Sequence, residues 1–332
     1  MALPEFVQAL LKPEAYPDKV EGVELVQTQI SFAFLTGEYV YKVKKPVDFG
    51  FLDFTTLEKR RFYCQQEVSL NRRLCDETYL DVVPINREGD DFRVEGSGEV
   101  FEYAVKMRQL PSQRMMDSLL RSGQVTPEML RGVAEKLVEF HRRAGLSEEV
   151  AVLGGLDSVT RNVEENFVQT EGYIGRTISR EQYEHTKDYT YSFIEGNSSL
   201  FAERVKKGRI KDCHGDLHAA HICFSDSICI FDCIEFNDRF RYTDVANEIA
   251  FLAMDLDCHS RPDLARSFID DYVDISGDRE LLKLLDFYKC YRAYVRGKVE
   301  GFKLDDPHIS EEEKTRVLAL ARRYFELAES YI

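Results

Sequence analysis

The run His214-Gly215-Asp216-Leu217-His218-Ala219-Ala220-His221 is followed by Ile222-Cys223-Phe224, Ser225-Asp226-Ser227, Ile228-Cys229-Ile230-Phe231 and then Asp232. Two short β-type runs around a three-residue polar break predict a hairpin. Pairing Phe224 with Ile228 sets Asp232 opposite Ala220, beside His221. Two carboxylates, Asp216 and Asp232, then stand at one end of a hairpin with a polar side chain between them. That layout suits a phosphate-bound divalent cation together with a carboxylate that accepts a hydroxyl proton. The rival reading is a transition-metal cluster of His214, His218 and His221. Their spacings suit one helix face, but Gly215-Asp216 disfavours a helix here.

The same stretch resembles a known family. His-Gly-Asp-Leu-His, a metal-ligand position five residues after the Asp, and an Asp after a hairpin are similar to the aminoglycoside phosphotransferase-like kinases. These share the protein-kinase-like fold. The resemblance implies Asp216 as catalytic base, Asp232 as the main magnesium ligand and ATP with Mg2+ as cofactors, Mn2+ being an alternative. Most relatives carry Asn at the position of His221. His221 is therefore read in three ways: a nitrogen ligand or hydrogen-bond donor near the metal, a tolerated change without metal contact, or the mark of a weakened kinase. Imidazole suits manganese or zinc better than magnesium.

Upstream, strand-like segments dominate. Residues 23–35 and 38–44 flank the hairpin signal Thr36-Gly37, and 82–86, 91–94 and 100–107 read as further strands. One helix interrupts them, predicted from a capping box with Thr55 as N-cap and Glu58 reaching back, and running to about Leu74. Tyr39-Val40-Tyr41-Lys42-Val43-Lys44-Lys45-Pro46 is a strand with Lys42 and Lys44 on one face. Kinase-like folds place a strand Lys on the nucleotide phosphates and orient it with a helix Glu. Lys42 fits best, Lys44 is close behind, and Glu67 is the natural ion-pair partner. Neither GxGxxG nor a P-loop is present, and the bend at Ser31 to Phe34 is the expected phosphate cover. Met107 to Leu110, including Gln109, occupies the expected hinge, whose backbone would hold adenine.

After residue 110 the chain reads as helical. Thr126-Pro127-Glu128 opens a helix with an apolar stripe at Leu130, Val133, Leu137 and Phe140. Helices are also predicted at 157–170, 179–207, 244–256, 261–274, 278–302 and 310–331. The order predicts an α+β, bilobed protein-kinase-like fold. Residues 1–109 form an N-lobe of antiparallel sheet with one helix. Residues 110–332 form a mainly helical C-lobe with a short catalytic hairpin, the cleft between lobes being the expected nucleotide site. By the resemblance Asp244 caps its helix and braces the catalytic loop. Glu235 and Asn237 are candidates to face substrate. Arg292 and Arg296, four residues apart on a Tyr-rich helix, suggest a pocket for an anionic substrate, or structural ion pairs. An anionic acceptor tilts away from a polycationic aminoglycoside.

Formal charge is −15, from 44 Lys and Arg against 59 Asp and Glu. That argues against nucleic acid as a partner, since such surfaces are basic. No apolar run is long enough to span a membrane. Eight scattered Cys without a CxxC pair and a start lacking signal-peptide character suggest reduced thiols and a cytoplasmic protein.

The resemblance is most specific over 213–256. Leu35-Thr36-Gly37-Glu38-Tyr39-Val40-Tyr41-Lys42 and Phe49-Gly50-Phe51-Leu52-Asp53-Phe54 are similar to an uncharacterised bacterial subgroup, sometimes fused to a C-terminal P-loop kinase-like domain. The leading expectation is a phosphotransferase acting on a hydroxyl of a small molecule. The alternatives are a nucleotide-binding pseudokinase that regulates a partner, or a His-rich metalloenzyme.

Overall fold

A computed structural model describes residues 3–306 and 309–332. By packing, the chain divides into two compact units, one of residues 1–118 with 220–237, the other of 119–219 with 238–332. The hairpin that carries Asp232 therefore belongs with the N-terminal sheet.

The first unit is built on six antiparallel strands, β1 (Glu24–Gln27), β2 (Ser31–Leu35), β3 (Tyr39–Lys44), β4 (Tyr79–Glu88), β5 (Asp91–Val94) and β6 (Glu99–Arg108), in the order β1-β2-β3-β6-β4-β5. The run read as one strand over 23–35 is two. Thr28 Oγ1 accepts from the N–H groups of Ile30 and Ser31, and a side chain that competes for strand donors breaks the ladder. The bend thus sits at Thr28 to Ile30, and Ser31 to Phe34 lie in the sheet.

The helix Leu57–Asn71 is capped by Thr56, whose hydroxyl accepts from Lys59 N–H, and not by Thr55. Thr55 is already committed, because its N–H and its hydroxyl both bond Asp53 Oδ1. The helix buries Arg60, Cys64, Glu67, Val68, Leu70 and Asn71, half of them polar. Burial of polar groups requires partners. Arg60 finds Glu102 at 2.7 Å and Phe54 O at 2.9 Å, and Asn71 Nδ2 donates to Glu67 O at 2.8 Å.

Two further strands, β7 (Ile210–Asp212) and β10 (Tyr242–Asp244), pair in the second unit, while β8 (Ile222–Phe224) and β9 (Ile228–Ile230) form the hairpin. Phe224 pairs with Ile228, the register read from the sequence. In the first unit the hairpin packs its cysteines among Cys64, Val68, Tyr79, Val105 and Met107. Cys229 forms a disulfide with Cys75, against the expectation of reduced thiols throughout; tertiary packing brings two residues 154 apart to a Cα separation of 4.8 Å. The other six Cys are buried and outside any disulfide.

In the second unit the helix Val245–Cys258 is buried along nearly its whole length. Pro127–Arg143, Pro262–Ser276 and Leu285–Lys303 are among the helices of the same unit. The segment expected as one helix over 179–207 breaks at Asn197, whose N–H and Nδ2 both bond Phe193 O, ending one helix as Ser198–Lys206 begins. Among the described residues no helix is long and apolar enough to cross a membrane.

Candidate active site

Strand β3 presents Lys42 and Lys44 on one face because residues two apart in a strand point the same way. Both reach Glu67. Lys42 Nζ lies 2.9 Å from Glu67 Oε1, and Lys44 Nζ lies 2.7 Å from Glu67 Oε2. Glu67 is fully buried and Lys44 is 2% exposed. Burial alone would neutralise Glu67, but the two ammonium groups outweigh it and hold the carboxyl below its usual range. Burial likewise opposes the charge on Lys42, and Asp232 and Glu67 reverse the effect, raising its pKa well above normal.

Asp232 follows β9 and belongs to the same unit. Its Oδ1 is 2.5 Å from Lys42 Nζ, and its side chain keeps 40% of its surface exposed. The residue sits at φ 62°, in the left-handed region that Asp tolerates better than most side chains. Tyr79 hydroxyl accepts from Asp232 N–H at 3.2 Å, and Asn71 Oδ1 accepts from Cys233 N–H at 2.8 Å. Sequence reading missed both. Asn71 had a signal, being four residues after Glu67 and so on the same helix face. His221 Nε2 stands 3.5 Å from Asp232 Oδ2. A carboxylate with an imidazole beside it is a donor set that fits a divalent cation, with the nitrogen favouring manganese over magnesium.

Glu235 is buried, and its Oε1 is bound by Lys44 Nζ. Asn237 Nδ2 donates to Phe51 O at 3.0 Å, joining the segment after Asp232 to the Phe49-Gly50-Phe51 loop. At the expected hinge, Met107 pairs with Val40 and Tyr79 within the sheet. The N–H groups of Arg108 and Gln109 are committed to Thr78 O and Glu38 O, and Gln109 Oε1 accepts from Gly37 N–H at 3.0 Å. Gln109 thus clasps the β2–β3 turn.

The second unit holds Asp216 on a loop braced by two acids of Val245–Cys258. Glu248 accepts from the N–H groups of His214 and Gly215 at 2.8–2.9 Å, and Asp255 Oδ2 accepts from Ala219 N–H at 2.8 Å. Burial pushes the Glu248 carboxyl up, but hydrogen bonding and charge from His141, with Gly215 N–H, bring it down to about 2. Sequence reading missed this pair too, although two acids seven residues apart in an apolar helix share a face. His214 is wholly buried, and its Nδ1 accepts from Asp216 N–H at 3.3 Å, a structural role beneath the loop. His218 Nε2 lies 3.7 Å from Asp216 Oδ2.

Arg292 is only 6% exposed. It donates to Gly215 O at 3.0 Å and Asn247 Oδ1 at 2.7 Å, and its guanidinium lies 4.5 Å from the centre of the Phe251 ring. It braces the Asp216 loop rather than lining a substrate pocket. Arg296 is 3.5 Å from Glu300 and stacks over Tyr324, and Asp216 and Asp255 are among the charges that hold it strongly protonated against burial. Asp244 caps Val245–Cys258 through Ala246 N–H and receives two hydrogen bonds from the buried Arg204, which also binds Asp278.

No protein-family profile matches the chain. An uncharacterised protein of Mycobacterium tuberculosis (strain ATCC 25618 / H37Rv) is 34% identical over 279 residues, 84% of this chain and 54% of the relative. One of Mycobacterium bovis matches to the same extent. The chain thus spans about half the length of the curated relatives it matches. Solved structures resemble it over nearly its whole length. The GDP complex of aminoglycoside 2'-phosphotransferase-IIIa gives a TM-score of 0.55 at 13% identity, covering 98% of this chain and 99% of that one. A choline/ethanolamine kinase family protein from Mesorhizobium loti gives 0.52 at 10% identity, covering 98% and 100%. Amicoumacin kinase hAmiN, in complex with AMP-PNP, Ca2+ and Ami, gives 0.51 at 12% identity, covering 96% and 91%. The chain has the protein-kinase-like fold of the aminoglycoside phosphotransferases.

Proposed function

We propose that this protein is an ATP-dependent phosphotransferase acting on a hydroxyl group of a small molecule. The observation that carries the reading is Lys42 bound at once to the buried Glu67 and to Asp232. Phosphoryl transfer asks a protein mainly for positioning and for charge opposite the phosphates. Lys42 supplies a cation for phosphate, and Glu67 holds it in place. Asp232, with His221 beside it, is the site for a divalent cation, which when bound neutralises phosphate charge. Asp216 accepts the proton of the incoming hydroxyl. Its loop is fixed by Glu248, Asp255 and Arg292, so the carboxylate is held in position before the acceptor arrives.

Similarity to kinases of aminoglycosides, amicoumacin and the choline/ethanolamine family supports a small acceptor without naming it. The test is release of labelled γ-phosphate from ATP onto a panel of sugars, amino alcohols and aminoglycosides, with Mg2+ or Mn2+. Transfer to any hydroxyl supports the reading. Failure of nucleotide and metal to raise the melting temperature overturns it. A second reading, a pseudokinase that regulates a partner, is favoured by His221, since imidazole is a weak partner for magnesium. Tight ATP binding without turnover on the same panel selects it.

A further inference from the structure

We propose that Lys44 and Glu235 are positioning residues that close a ring of alternating charge around Asp232 and hold its carboxylate for the metal. The proposal rests on the phosphotransferase reading, in which Asp232 meets a divalent cation. The ring runs from Asp232 to Lys42 at 2.5 Å, to Glu67 at 2.9 Å, to Lys44 at 2.7 Å and to Glu235. The backbone through Cys233 and Ile234 returns it to Asp232. All five side chains belong to the first unit.

The two halves of the ring differ in exposure. Lys44, Glu67 and Glu235 are buried, whereas Asp232 keeps 40% of its side-chain surface open. A buried ion loses several kcal/mol of hydration, recovered only when its partners are fixed in good geometry. Lys44 satisfies this with a carboxylate on each side and Phe54 at 4.9 Å from Nζ to ring centre. Its bond to Oε2 turns Glu67 so that Oε1 faces Lys42. Its bond to Glu235 ties the segment after Asp232 to β3.

That second tie matters because Asp232 has a left-handed backbone, φ 62°, which costs energy for a residue with a Cβ. Tyr79 and Asn71 hold the N–H groups of residues 232 and 233, and the Lys44–Glu235 pair anchors the chain three residues on. Three carboxylates face two ammonium groups, so the ring carries one negative charge in excess beside its open member. The buried arm stays closed, and the Lys42–Asp232 arm is the one that opens for metal and phosphate.

The test is the metal increment, the ratio of ADP affinities with Mn2+ and with EDTA, measured by calorimetry. Charge alone moves Lys44→Met and Glu235→Gln in opposite directions, since one removes a cation from the metal site and the other an anion. Loss of positioning moves both downward, by about tenfold, as a misplaced ligand does. The double variant K44M/E235Q removes both members of the pair, so its melting temperature recovers toward the parent value while the increment stays low. A full increment in the double variant, or changes of opposite sign in the singles, overturns the proposal. The double variant decides alone where the singles do not fold. Absence of any increment in the unaltered protein removes the phosphotransferase reading and this proposal with it. A parent increment that survives in the variants removes only this proposal.

Discussion

Lys42 Nζ lies 2.5 Å from Asp232 Oδ1, so a lysine holds one oxygen of the carboxylate proposed for the metal. The same ammonium is 2.9 Å from Glu67 Oε1, and it serves as an internal counter-ion for two acids. A cation arriving at Asp232 competes with it.

Lys42→Gln should therefore raise the affinity of nucleotide-free protein for Mn2+ by about tenfold, by removing an adjacent like charge. Electron paramagnetic resonance titration of free Mn2+ reads this directly. Binding that weakens shows that Lys42 does not compete at this carboxylate.

Asp216→Asn should lower phosphoryl transfer by at least about a hundredfold while ADP and Mn2+ still bind. Asparagine fits the loop but cannot accept the hydroxyl proton. Comparable turnover in the variant would remove Asp216 from the mechanism.

Arg292→Lys should destabilise the protein by about 2 kcal/mol, because a lysine cannot span Gly215 O and Asn247 Oδ1 with a planar fork. Turnover should fall through kcat, with the KM for ATP nearly constant. Urea unfolding and steady-state kinetics separate the two effects. A rise in KM for an anionic acceptor with kcat intact would restore Arg292 to substrate binding.

His221→Asn should shift metal preference toward Mg2+ over Mn2+ by several-fold, since an amide oxygen suits the harder ion. The readout is the ratio of ADP affinities with the two metals. An unchanged ratio places the imidazole outside the coordination sphere, despite its 3.5 Å approach to Asp232.

Acid should unfold the second unit partly through Glu248. Its folded pKa is lowered from 4.5 to about 2, so its contribution is complete above pH 4.5 and is lost as pH falls toward 2. The group is buried, and the shift corresponds to about 3 kcal/mol. Stability measured from pH 6 to pH 2 should fall less steeply in Glu248→Gln. Parallel curves would assign the acid sensitivity to other groups.

The local parts of this site were legible in the sequence. Two apolar runs around Ser225-Asp226-Ser227 fixed the hairpin register, because a three-residue break sets Phe224 opposite Ile228. Strand parity put Lys42 and Lys44 on one face, since residues two apart point the same way. The partners were not local. Lys42 and Asp232 are 190 residues apart, and nothing in periodicity says that Glu67 spends one oxygen on each lysine or that Glu235 closes on Lys44. The helix carrying Glu67 hides its inward face, since half of that face is polar and its satisfaction depends on groups from other elements. Arg292 reads from the sequence as a pocket-lining or ion-paired cation, and it is buried because Gly215 O and Asn247 meet it. The sequence by itself determined the candidate side chains and the order of elements that presents them. Tertiary structure alone decided which charges meet, because the cost of burying an ion is repaid only by partners that folding brings from elsewhere in the chain.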